Sequence, residues 1–242
     1  MYPALSDLRR LEWETIKTIS EMSEFGTFYD LSAIAQGYRT LLSKDRGNIN
    51  INLPFVLDIR LRADVKKTLK KRRVDLGALV IGDQSGAIES ASYSLIICKS
   101  EDPKTSAIVR KLHFDFEPGS RRNVGELKPS VHMQVCGKYS DYHIRAGYRD
   151  SALRHWHPGF EKPRIPSIPM SIGIMLNWLL LEFQTDRTAM AILRHPRWRK
   201  LVAQAEQVVL RPYFKAATDF LSSASNRGVP FVEHLLYEVS QN

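Results

Sequence analysis

From Phe55 onward the chain changes polarity at every second residue, and this period constrains the fold more than any other feature of the sequence. Phe55, Leu57, Ile59 and Leu61 alternate with Asp58, Arg60 and Arg62, as a strand with one face in a core and one in solvent requires. The stretch ALVIGDQSGAIESASYSLIIC predicts a hairpin whose turn is DQSG, with Gly86 supplying the backbone freedom of a tight connection. Two further strands are expected over about 108–116 and 130–137, and YHIRAGY reads as another short one. Joined in order, these runs make an antiparallel meander of four to six strands.

Helical spacing flanks the strands on both sides. Leu5, Leu8, Leu11, Ile16, Ile19 and Met22 recur at roughly that spacing, and Asp30 is placed to cap a second helix bearing Leu31, Ile34, Tyr38 and Leu42. The run MSIGIMLNWLLLEF is the most apolar in the chain, but it is shorter than the ~20 residues that span a bilayer. A buried helix, and no membrane partner, is the expectation. Pro196, Pro212 and Pro230 punctuate the helical remainder, and RHWHPGFEKPRIPSIP reads as an extended crossing segment before it. With 242 residues and 43% hydrophobic content the chain can bury one sizeable core. The fold class is therefore α+β, a single domain with N-terminal helices over 1–45, an antiparallel sheet over 50–148 and C-terminal helices over 168–242.

Within this frame two apolar strands are interrupted in the same way. LHFDF sets Leu112, Phe114 and Phe116 on one face and His113 and Asp115 on the other; VHMQV sets Val131, Met133 and Val135 opposite His132 and Gln134. If the two runs are neighbours, the four polar groups meet. Such a group can perform acid/base chemistry, with Asp115 fixing an imidazole tautomer, or two imidazoles and a carboxylate can hold a divalent metal ion with a position open for water. A solvated face, or a mutually satisfied polar network, explains the same pattern without function. Asp115 with Glu126 and Lys128 also resembles a nuclease metal core, although Pro129 follows where a catalytic strand would already have begun. HWH at 155–157 can add ligands or simply pack around Trp156. No Gly-rich phosphate loop or dinucleotide fingerprint is present, which disfavours ATP- and NAD-dependent chemistry.

The net charge of +9 and a pI near 9.6 point to a polyanion, nucleic acid above all. The candidate contacts are Lys66, Lys67, Lys70, Lys71, Arg72 and Arg73, read as the connection between two strands, and Arg121 and Arg122 in the loop EPGSRRNVGELKP. A solvated turn accounts for the first group equally well. Cys98 and Cys136 lie in apolar runs and form no CxxC pair, which argues against a disulfide framework or thiolate zinc site. The charged N-terminus MYPALSDLRRLEWE is unlike a secretory signal, so a reducing, cytoplasmic setting is expected.

Three stretches taken in order, HFDFEPGS, KPSVHMQV and PRIPSIPM before an apolar helix, resemble an uncharacterised bacterial domain-of-unknown-function family with H-F-D-F, P-x-x-H-x-Q and R-I-P motifs. Its members occur among mobile-element or antiviral defence genes. The resemblance covers about residues 108–185 and implicates His113, Asp115, Pro129, His132, Gln134, Arg164 and Pro166, with no established reaction. It does not extend to the basic run at 66–73 or to Arg121 and Arg122. The reading is a nucleic-acid-acting, nuclease-like effector of a defence or toxin system, with His113 and His132 as acid/base groups or ligands, Asp115 as orienter or third ligand, and Arg164 as a phosphate clamp. The alternative is a non-catalytic nucleic-acid-binding or assembly subunit working with a protein partner.

Overall fold

The computed structural model describes residues 3–25, 31–42, 48–60, 69–102, 108–117, 131–135, 165–182, 184–185 and 187–224. Outside them lie Asp30, Lys66, Lys67, Arg121, Arg122, Glu126, Lys128, Pro129, Cys136, the expected strand YHIRAGY, HWH at 155–157, Arg164 and Pro230.

The α+β expectation holds. Helices α1 (Leu5–Glu21) and α2 (Leu31–Leu42) precede five strands, β1 (Asn48–Arg60), β2 (Lys70–Gly82), β3 (Ile88–Cys98), β4 (Ile108–Phe116) and β5 (Val131–Val135). A two-residue strand β6 (Ile165–Pro166) then leads to α3 (Ile172–Glu182), a two-residue β7 (Gln184–Thr185), α4 (Arg187–Arg194) and the long α5 (Pro196–Ala224). The described strands form one sheet in the order β6-β5-β4-β3-β2-β1-β7, antiparallel throughout. The meander is thus β1 to β5 in chain order, and the excess over six strands comes from the two-residue pieces that finish its edges.

The alternation seen in sequence decides which face meets the helices. Register sets Phe55, Val74, Ile97 and Arg110 in one row, and Ile51, Ala78, Tyr93, Phe114 and Met133 in another. Phe114 meets Trp178 of α3 edge to face at 6.3 Å, and the Tyr93 hydroxyl reaches Glu12 of α1, so this is the helix side. Its buried apolar side chains join those of α1 to α5 in a single core, while Arg110 at the end of its row is exposed. Gly37 lets α2 lie close, since a Cβ there would come within 2.7 Å of Ile16 Cδ1 and 3.9 Å of Ile51 Cγ2.

Local chemistry explains the element ends. At the β2–β3 turn the Asp83 carboxylate accepts from the amides of Ser85 (2.8 Å) and Ala87 (2.9 Å) and from the Ser85 hydroxyl (2.7 Å), while Gly86 takes the positive φ of 83°. These bonds hold the Asp83 carboxyl below its ordinary range. Ser171 caps α3, its hydroxyl accepting from the amide of Ile174 at 3.2 Å. Pro196 opens α5, where its missing N–H costs nothing, but Pro212 lies inside α5 rather than separating two helices.

Three expectations are corrected. β1 begins at Asn48 and runs through Pro54, where polar residues alternate with Ile49, Ile51 and Leu53. At the end of α2 Leu41 is buried in place of Leu42, which is 68% exposed. Lys70, Lys71, Arg72 and Arg73 belong to β2 and not to a connection.

Candidate functional site

The face turned from the helices carries the polar residues of the meander. Register places Asn52, Gly77, Ser94, His113 and Gln134 in one row across β1 to β5, and Asn50, Leu79, Ser92, Asp115 and His132 in the next. His113 therefore stands directly opposite Gln134, and Asp115 directly opposite His132, on adjacent antiparallel strands. The four residues singled out in sequence form one group, with Ser92 and Ser94 completing it on the β3 side. Opposed side chains on neighbouring strands have Cβ atoms about 5 Å apart, and diagonal ones about 7 Å; His113 and His132 are a diagonal pair.

The two histidines are placed differently. His132 is 1% exposed, and its Nε2 lies 3.7 Å from Asp115 Oδ2, within ion-pair range though beyond an ordinary hydrogen bond. Asp115 is itself 14% exposed. His113 and Gln134 are half-buried, and the His113 Nε2 is sealed from solvent. Gly77 leaves room for Ser94 to lean across the row, because a Cβ at Gly77 would run into Ser94 Oγ. Pro166 of β6, the last residue of the R-I-P motif, pairs with His132. Among the described residues no three His, Cys, Asp or Glu side chains are grouped so as to hold a metal ion. Asp115 can orient the His132 ring, and the half-buried His113 lies diagonally from it.

The basic run divides in two. Lys70 and Lys71 are exposed. Arg72 is not the surface contact expected of it: it lies on the helix face at 2% exposure, its Nε donating to Ile59 O (3.4 Å) and its Nη1 to Lys99 O (3.0 Å). An arginine at a core-facing strand position must carry its own hydrogen-bond partners inward, and here backbone carbonyls serve. Arg73, on the other face, donates from Nε to Asp75 Oδ1 at 2.8 Å.

That salt bridge belongs to a second buried polar corner, which the sequence reading missed. Asp75, Ile96 and Lys111 fall in one row across β2 to β4, at 4%, 2% and 1% exposure. Burial pushes the Asp75 carboxyl up, with Arg73 opposing. Cys98 is a free, buried thiol pushed up to about 12 by burial and then by the Asp75 charge, which leaves it no thiolate character. The alternation that reveals His113 and Asp115 also includes Lys111, so the signal was present.

Glu12 was missed as well. It sits on the apolar stripe of α1, four residues from both Leu8 and Ile16, and is fully buried. Its Oε1 accepts from the Tyr93 hydroxyl at 3.0 Å and from the amide of Ile172, the first residue of α3, at 3.1 Å, while Oε2 has no hydrogen-bond partner among the described residues. Desolvation pushes this carboxyl up to about 7, the two hydrogen bonds opposing. One acidic side chain thus ties α1 to the sheet and to α3. No helix among the described residues is long and apolar enough to cross a membrane. No protein family, no curated protein and no solved structure matches this chain, and its site is read from its own geometry.

Proposed function

We propose that the protein cleaves nucleic acid, as a nuclease-like effector of the defence or toxin kind that its H-F-D-F, H-x-Q and R-I-P stretches resemble. The observation that carries this is the register setting His113 against Gln134 and Asp115 against His132 on the face turned from the helices. In this reading His113, the less buried of the two histidines, takes or gives the proton at the reacting phosphodiester through Nδ1, since its Nε2 is sealed from solvent. Gln134 and Ser94, its neighbours on either side in the row, hold phosphate or sugar oxygens, and the His132–Asp115 pair beneath fixes the geometry. The net charge of +9 supports a polyanionic substrate. Lys70 and Lys71 supply exposed cations at the end of β2; Lys66, Lys67, Arg121, Arg122 and Arg164 remain proposed phosphate contacts.

A second reading, a binding or assembly subunit without chemistry of its own, is favoured by the 1% exposure of His132. One set of variants separates the two. His113→Ala is expected to lower cleavage of labelled RNA or DNA about 10²- to 10⁴-fold, the usual contribution of a positioned acid or base, with the melting temperature unchanged. His132→Ala is expected to lower stability by about 1 to 3 kcal/mol, because it removes a buried polar side chain facing Asp115. Full cleavage by a folded His113→Ala variant defeats the catalytic assignment. A wild type that binds oligonucleotides and never cleaves them establishes the subunit reading.

A further inference from the structure

The outward face of α5 differs in composition from the rest of the surface. Between Arg187 and Lys215 the only acidic residue is Glu206. Trp198, Leu201, Val202, Ala205 and Val209 turn α5 toward the core. On the far side of the helix, Arg197, Lys200, Gln204, Gln207, Arg211 and Lys215 follow one another at steps of three or four, which aligns them in one stripe. The stripe is about 27 Å long at the helical rise. Between Arg197 and Lys215 it contains no carboxylate, Glu206 falling on a flank, and Asp219 follows one turn beyond Lys215. Phe214, beside Lys215, is 51% exposed, an unusual position for a large aromatic ring on a charged helix.

The helix macrodipole does not account for the cations at the start of α5. Arg197, Arg199 and Lys200 occupy the first turns of α5, where cations oppose the macrodipole. Arg197 is matched by Glu21 of α1 and Lys215 by Asp219 at 3.4 Å. Lys200 has no partner among the described residues, and Arg211 bonds only Gln207, at 3.4 Å. Cations in a line, amide side chains between them and one open ring match what a single strand of nucleic acid offers: phosphates at intervals, polar sugar and base edges, and a stacking face.

We propose that the outward stripe of α5 is a binding surface for single-stranded nucleic acid, with Lys200, Arg211 and Lys215 on phosphates and Phe214 stacked on a base. This rests on the nucleic-acid reading above and adds a surface separate from the polar band on the sheet. The stripe gives the strand a track along the helical layer.

The test is binding of fluorescent dT20 and rU20 to the full chain as a function of salt. Three proteins are compared: wild type, the triple variant Lys200→Gln/Arg211→Gln/Lys215→Gln, and a control, Arg39→Gln/Lys99→Gln/Arg110→Gln, that removes the same charge from exposed positions elsewhere. The triple variant is expected to bind at least about tenfold more weakly at 0.1 M salt, and to flatten the slope of log K against log salt by about 2. Phe214→Ala is expected to cost about fivefold or more with the slope unchanged. The control should lie close to wild type. All substituted side chains are exposed, so equal melting temperatures are expected and serve as the check on folding. Wild-type binding that the triple variant retains in full, or that the control loses to the same extent, overturns the surface and leaves the nucleic-acid reading standing. A wild type that binds neither oligonucleotide overturns both, as does binding to phosphatidylserine vesicles in place of oligonucleotides.

Discussion

Urea unfolding of Trp198→Ala is expected to show a loss of about 3 to 5 kcal/mol, the range for removing a fully buried large aromatic side chain. Trp198 is 0% exposed on α5 and meets Phe25 edge to face with ring centroids 5.3 Å apart. Its Nε1–H donates to Asn177 Oδ1 on α3 at 3.0 Å. Alanine would leave a cavity where α5, α3 and the turn after α1 converge, together with an acceptor lacking its donor. Trp198→Phe keeps most of the apolar volume and gives up the hydrogen bond, so a loss nearer 1 kcal/mol is expected from the bond alone. If both variants unfold at the wild-type midpoint, the C-terminal helices are not packed on the N-terminal ones as described.

The second large effect depends on pH. The Glu12 carboxyl is pushed up from its ordinary 4.5 to about 7 in the folded chain, so the folded state holds a proton that the unfolded chain releases earlier. Its contribution to stability is fully present below the unfolded value and is lost as pH rises through about 7. The size, at 1.36 kcal/mol per pH unit of displacement, is about 3 kcal/mol. Glu12→Gln keeps an acceptor for the Tyr93 hydroxyl and the Ile172 amide but cannot ionise. The difference in unfolding free energy between variant and wild type should therefore grow in favour of the variant from about pH 5 to pH 8, then level off. A difference that stays constant across that range would mean that Glu12 titrates as an exposed carboxyl does.

How much of this was legible in the sequence depends on whether one physical signal stood alone. The alternation in LHFDF and VHMQV is undisturbed, and it placed His113, Asp115, His132 and Gln134 on a shared face as the register has them. In KKRRVD the same period was hidden, because Arg72 fills a core-facing position and makes the alternation look like an unbroken run of charge. The carbonyls of Ile59 and Lys99, remote in sequence, help make that position tolerable. Glu12 was hidden in the same way on a helix: its partners come from β3 and α3, so its burial was decided by packing that periodicity does not report. β6 and β7 have two residues each, too few for any period, and exist because the chain passes the sheet edges there. The exposure of the α5 stripe was readable from the 3.6-residue repeat, but its lack of carboxylates matters only once the helix is known to be continuous through Pro212.

Pro54 has a consequence for how the molecule behaves in company. β1 is thirteen residues long, yet among the described residues only Ile59 and Arg60 pair on its outer side, with β7. Where no described strand pairs with it, the outer side of β1 is a template to which another chain could add a strand. Pro54 sits in the middle of that edge, opposite Asp75 of β2, and offers no N–H to an incoming ladder. An intruding strand would have to break its pairing there, so the residue that most looks out of place in β1 works as a guard against aggregation when the protein is concentrated.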